Sequence, residues 1–258
     1  MPEPCADAGS FSYERGNANM LELKNIHWAL PDGGEILKGI NLTVPDGRLT
    51  VVTGPNGGGK TSLAKVIAGL YTPSEGQILL DGADVTGWDI TERARGGIAY
   101  AFQQPVRFKG LTVRDLLELS AERTLKYGEI CEYLGQVGLC AQEYVDREVN
   151  ASLSGGESKR IELATVLARK NARMLVFDEP EAGIDLWSFS NLIAAFEKLK
   201  AEGGRTLLVI SHQERIMDIA DHIVVIAGGQ VRDQGAKDDV LPNLLSAEKR
   251  TRCPRGMA

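Results

Sequence analysis

Short apolar stretches separated by turn residues open the patterned part of the chain. Between residues 20 and 52, Leu21, Leu23 and Ile26, then Ile36, Leu37, Ile40, Leu42 and Val44, are broken by Pro31-Asp32-Gly33-Gly34 and Pro45-Asp46-Gly47. This pattern predicts an antiparallel β layer. Residues 49–53 read as a buried strand running into a glycine-rich loop, and apolar residues at 63, 66, 67 and 70 predict a helix over 61–70. A further β piece is expected at 77–80. From about 104 to 170 the periodicity turns helical, most clearly at 113–121 and 159–169, which predicts an inserted helical subdomain. Strands return at 174–177, 207–210 and 222–226, with a helix over 189–200 between the first two. Strand, helix and strand in that order imply a parallel sheet.

Composition narrows the class. With 258 residues, 43% hydrophobic and 25% charged, the chain is long enough for one large domain or a domain with a subdomain, and disorder as the overall state is excluded. No run approaches the roughly 18 apolar residues of a membrane-spanning helix. A net charge of -6 argues against a nucleic-acid partner. Cys5, Cys131, Cys140 and Cys253 form no C-x-x-C pair, so neither a disulfide framework nor a zinc site is expected, and the chain reads as a cytoplasmic protein. No export signal is read at the N-terminus. Residues 1–19 are expected to be a flexible tail and 248–258 a frayed one, basic from Lys249 onward.

The chemistry concentrates in three places. Gly54-Pro55-Asn56-Gly57-Gly58-Gly59-Lys60-Thr61, followed by Ser62, fits G-x-x-x-x-G-K-[ST] and lies between strand and helix. Its glycines let backbone N–H groups turn inward, the helix presents its positive end, Lys60 reaches terminal phosphates, and Thr61 offers a hydroxyl to Mg²⁺. The strand at 174–177 ends in Asp178, a candidate metal partner, and Glu179 follows, placed to take a proton from an attacking water. The expected fold class is therefore α/β, a P-loop NTPase core with a parallel sheet, an N-terminal antiparallel β subdomain and an inserted helical subdomain. Third, Leu153-Ser154-Gly155-Gly156-Glu157 precedes a helix. Ser154 and Glu157 have the spacing of a capping box, but the box does not explain two glycines in the first helical turn, where each costs about 1 kcal/mol relative to alanine. A second phosphate-binding helix start, serving a partner subunit, is the sharper reading.

These residues resemble an ATP-binding cassette (ABC) ATPase over about residues 20–240, within an expected domain of 20–247. The resemblance assigns a Walker A loop to Gly54–Thr61, a Q-loop glutamine to Gln103, the signature to Leu153–Glu157, Walker B to Asp178, the catalytic glutamate to Glu179, a D-loop to Asp185 and a switch histidine to His212. It implies ATP and Mg²⁺ as cofactors, with Thr61, Gln103 and Asp178 around the metal. It also implies a nucleotide-dependent homodimer in which each ATP lies between one Walker A loop and the opposite signature. The residue reading agrees: Thr53, Gln103, Asp178 and His212 each follow an apolar strand-like run, and in an open parallel sheet such positions converge beyond the strand ends. His27 and His222 lack that context and read as structural. Trp28 is an aromatic candidate for adenine, although alignment puts Leu30 at that position. Trp88 and Trp187 read as packing residues, Trp187 with a possible place at a subunit interface.

Only 50 residues separate Gln103 from Ser154, which excludes the coiled-coil ATPases of DNA repair. A P-loop kinase gives no reason for Ser154-Gly155-Gly156, and a non-hydrolysing module would normally lack Glu179 or His212. Within the family, Ala101–Val106, Gly155–Arg160 and Ser211–Asp218 are similar to the Suf-type iron–sulfur assembly ATPase, whose partner is a soluble scaffold. The alternative is the nucleotide-binding subunit of a membrane transporter, peripheral on the membrane through its partner. Either partner is expected to dock around Gln103, Pro105 and Phe108.

Overall fold

The computed structural model describes residues 19–104 and 108–251, and the side chains up to residue 244. The expected tails at 1–18 and 252–258, and Pro105 of the docking loop, lie outside the described residues. In chain order come β1 (Asn19–Ala29), β2 (Glu35–Pro45), β3 (Leu49–Thr53), α1 (Lys60–Ile67), β4 (Glu75–Leu80), β5 (Ala83–Asp84), α2 (Ile90–Arg95) and β6 (Ile98–Ala101). Then follow α3 (Val113–Ala121), α4 (Tyr127–Gln136), α5 (Ala141–Tyr144), α6 (Gly155–Ala168), β7 (Met174–Asp178) and α7 (Leu186–Glu202). The chain closes with β8 (Thr206–Ile210), α8 (Glu214–Asp218), β9 (His222–Ala227), β10 (Gln230–Ala236) and α9 (Lys237–Thr251).

Two sheets form. The antiparallel one has the order β2-β1-β4-β5, and the larger one the order β10-β9-β3-β8-β7-β6. In the larger sheet β9, β3, β8, β7 and β6 run parallel, while β10 joins antiparallel to β9 at the edge. Its central strands are apolar on both faces, as a covered parallel sheet requires. Leu175 and Phe177 of β7 pack into a core shared with the helices, while Met174 and Val176 pack into a second core under the antiparallel sheet and α1. β8 divides the same way, Leu207 and Val209 against Leu208 and Ile210.

Register fixes where the strands end together. Val52 of β3 pairs with Ile210 of β8, Ile210 with Asp178 of β7, and Phe177 with Ala101 of β6. The loops after all four strands therefore leave from one edge of the sheet. Arg93 on α2, 1% exposed, donates to the Ile67 carbonyl at 3.0 Å and so holds the end of α1. Desolvation brings its pKa down to about 10.

α9 runs through Thr251 and carries Pro242 within it. One expectation needs correction. Trp187 does not pack: it is 82% exposed beside Leu186 at 70%. Trp88 is half-buried against the second core, as a packing residue should be.

Candidate active site

β3 delivers the chain into the glycine loop at Gly54, whose φ is 133°. A Cβ there would sit 2.0 Å from the Ile226 carbonyl oxygen of β9, so neighbouring backbone as well as dihedral angle demands glycine. α1 then starts at Lys60. The Lys60 ammonium is buried and donates to the carbonyls of Gly54 (2.7 Å) and Pro55 (3.0 Å). Desolvation pulls its pKa down, opposed by the negative charges of Glu179 and Asp178.

Asp178 ends β7 wholly buried. The Thr61 hydroxyl donates to its Oδ1 at 3.1 Å and the Tyr100 hydroxyl to its Oδ2 at 3.2 Å. Burial pushes the carboxyl pKa up, and those two hydrogen bonds pull it back. Tyr100, in turn, is pushed above its ordinary range by burial and by Asp178. Glu179 follows with φ 47°, an uncommon conformation for a non-glycine residue and one often found at functional sites. Its N–H donates to the Ile210 carbonyl at 3.0 Å, and its Oε2 accepts from Gln103 Nε2 at 2.8 Å.

One cavity of about 820 Å³, open to solvent, is lined by Asn56–Ser62, Gln103 and Glu179, with Ile36 at its side. Cradle, Q-loop glutamine and proposed base thus share a wall. Ser154, Asp185 and His212 do not line it. His212 is exposed, on a turn tied to β3 by the Ser211 N–H donating to the Val52 carbonyl (3.1 Å). The Ser211 hydroxyl donates to Glu181 Oε1 at 2.6 Å, joining that turn to the segment after Glu179. Burial pushes the Glu181 carboxyl up, and the Ser211 hydrogen bond works against it.

The helix start at Ser154 is a complete capping box: Ser154 Oγ accepts from the Glu157 N–H (3.2 Å), and Glu157 Oε2 from the Ser154 N–H (2.7 Å). Glu157 Oε1 also accepts from Tyr144 at 2.5 Å, and the Tyr144 and Ser154 hydrogen bonds hold its pKa down at about 2. Gly156 has an internal reason to be glycine, since a Cβ would meet the Gly183 carbonyl oxygen at 2.8 Å. Gly155 meets nothing within 4 Å and stays open to solvent. The box and packing thus account for more of this motif than its sequence implied, and Gly155 is left facing outward. Asp185 caps α7 by accepting from the Trp187 and Ser188 N–H groups, and Arg160 of α6 lies 3.8 Å from it. Ser154→Ala should cost about 1 kcal/mol in urea unfolding. The part due to the depressed Glu157 pKa is full above the ordinary glutamate range and fades as pH falls toward about 2.

The donor set suits Mg²⁺. Thr61 and Asp178 offer a hydroxyl and a carboxylate side by side, and among the described residues no cluster of three His, Cys, Asp or Glu makes a closed metal cage. Mg²⁺ binds that way, through few protein oxygens with phosphates and water completing its shell. Gln103 is turned to Glu179 rather than to the Thr61–Asp178 pair. Trp28 stacks on Tyr71, ring centroids 4.3 Å apart, and Leu30 is 41% exposed. His27 Nδ1 lies 2.7 Å from Glu35 Oε1, and His222 is half-buried at the start of β9 with its pKa lowered by burial.

Residues 37–182 match the family described as ABC transporter. An uncharacterized ABC transporter ATP-binding protein of Methanocaldococcus jannaschii is 39% identical over 86% of this chain and 90% of its own length. This chain belongs to the ABC transporter ATP-binding cassette family. The cassette is a Mg²⁺-dependent ATPase with a P-loop NTPase α/β fold. It is also 37% identical, over 79% of its length, to the sulfate/thiosulfate import ATP-binding protein CysA of Synechocystis, of which it spans 57%. A dimeric cassette in a post-hydrolysis state with ADP and Pi superposes with a TM-score of 0.75 at 25% identity, covering 84% of this cassette and 99% of that chain. Among the described residues no helix is long and apolar enough to cross a membrane.

Sequence reasoning did not find Tyr100, Tyr144, Glu181 and Ser211. Tyr100 had a signal, a hydroxyl in an otherwise apolar strand. Tyr144 acts through a contact between α5 and α6, and Glu181 and Ser211 through one between two loops, which no local spacing encodes.

Proposed function

We propose that the cassette closes as a head-to-tail homodimer on two ATP molecules, and that hydrolysis reopens it to drive a bound membrane transport subunit. The reading is carried by the cavity in which residues 56–62 face Glu179 and Gln103. There, Lys60 and the loop N–H groups would hold the triphosphate, Thr61 with Asp178 behind it would hold Mg²⁺, and Glu179 would accept the proton of the attacking water while Gln103 fixes its carboxylate. Mg²⁺, when bound, neutralises developing charge on the phosphate oxygens. The exposed Ser154–Gly155 end, with Glu157 and Asp185, is offered to the opposite subunit's nucleotide, and His212 to the γ-phosphate.

The partner's place is the groove beside Gln103 to Phe108. Phe108 is 41% exposed and, with Phe102, Leu116, Val149 and Ile161, lines an open cavity of about 540 Å³ between core and helical subdomain. The import-protein relative supports a membrane partner. The second reading, a soluble scaffold of iron–sulfur assembly, is favoured by the Suf-like runs at 101–106, 155–160 and 211–218. Affinity recovery of the native complex from separated membrane and soluble fractions decides between them. An integral membrane protein in stoichiometric amount is the expected result; a soluble scaffold instead overturns the transport reading.

A further inference from the structure

One turn of α6 grips the backbone of Phe102 from both sides. The Phe102 N–H donates to Glu162 Oε1 at 2.8 Å, and its carbonyl accepts from the Lys159 ammonium, which also lies 3.4 Å from the Gln103 carbonyl. Lys159 is 1% exposed and stands 3.5 Å from Glu162. Burial pulls the pKa of Lys159 down and pushes that of Glu162 up, so neither charge is in comfortable surroundings. Buried ion pairs are often replaceable by apolar side chains without loss of stability. Stability alone therefore gives a weak reason for this pair, whereas its hold on the backbone gives a specific one. The next residue, Gln103, donates to Glu179 at 2.8 Å. A continuous path thus runs from the helix that begins at Ser154, through the buried Lys159 and the largely buried Glu162, to the carboxylate beside the cradle.

We propose that Lys159 and Glu162 are positioning residues for hydrolysis: they fix Phe102 so that Gln103 presents its amide to Glu179. Any tilt of α6, whose first turn is the signature, is thereby transmitted to the base. The inference rests on the proposed role of Glu179 and deepens it, because it assigns the geometry of that carboxylate to a helix belonging to the other subdomain.

The test is the double variant Lys159→Met with Glu162→Leu, measured beside Glu162→Gln and Glu162→Leu alone. The double variant should melt no lower than the parent and keep its KM, while kcat falls about tenfold to a hundredfold, the range expected when a supporting contact lets a reacting group drift. Backbone hydrogen exchange at residues 102 and 103 should quicken. Glu162→Gln keeps an acceptor for the Phe102 N–H and should recover most of the kcat that Glu162→Leu loses. A folded double variant with parental kcat overturns the proposal, as does a loss of kcat matched by equal losses of ATP affinity and thermal stability. If the double variant does not fold, equal kcat in Glu162→Gln and Glu162→Leu overturns it. Glu179→Gln in the same assay separates the two ideas: parental turnover there removes the base assignment itself.

Discussion

Glu179→Gln is expected to bind ATP like the parent and to turn over about a thousandfold more slowly, within the span general-base catalysis usually contributes. The substitution keeps volume and hydrogen-bonding reach while removing basicity. Gln103 Nε2, now 2.8 Å from Glu179 Oε2, finds the amide oxygen of the new side chain in the same place. The left-handed backbone at φ 47° is set by the Ile210 carbonyl and the surrounding turn, so it survives the exchange. With closure permitted and reopening blocked, the variant should accumulate as a dimer in the presence of Mg-ATP, read by light scattering. Steady-state ATPase and equilibrium ATP binding give the other two numbers. A variant that hydrolyses ATP at the parental rate means that the proton goes elsewhere.

Lys60→Ala is expected to weaken ATP binding by about a hundredfold or more, the loss of roughly 3 kcal/mol in charge-assisted hydrogen bonds. Part of the effect belongs to the protein alone. The Lys60 ammonium satisfies the Gly54 and Pro55 carbonyls, and its removal leaves both without that donor, at roughly 1–3 kcal/mol of stability for a buried group. Lys60→Met fills the stem's volume without the charge and separates the two contributions. If it folds normally and still fails to bind ATP in calorimetry, the charge is what the phosphates require. Tight Mg-ATP binding by Lys60→Ala would remove the cradle assignment.

Much of this architecture is legible in the sequence because parallel strands covered on both faces must be apolar throughout. Residues 174–177 and 207–210 declare themselves that way, and the β7 and β8 they predict differ by a residue at an end. The helix over 113–121 is bounded by its own capping box at Thr112, a local signal, and is found at its full length. β10 escapes because it is an exposed edge with little apolar periodicity, and α9 because Pro242 interrupts a run whose Val240, Leu241 and Leu244 otherwise recur at helical spacing. In the site, Lys60, Thr61, Asp178 and Glu179 are recoverable because a phosphate loop and a strand-end carboxylate are each contiguous. The alternation of strand and helix even predicts that the loops after β3, β6, β7 and β8 share an edge. What stays hidden is contact between segments far apart in the chain. The Gly156–Gly183 approach depends on how the helical subdomain sits on the core, and the Tyr144–Glu157 hydrogen bond on how α5 packs beside α6, neither of which any local spacing rule encodes.

Trp187 has a practical consequence. Of the three tryptophans, Trp28 and Trp88 are half-buried, and the indole at 187 stands 82% in water on the first turn after Asp185. Its emission should be that of a solvated ring, at the long-wavelength end of the indole range. Whatever covers that corner will shift the light toward the blue, and whatever uncovers it will shift it back. The chain therefore carries its own optical gauge of whatever occupies that corner, legible in real time on unlabelled material.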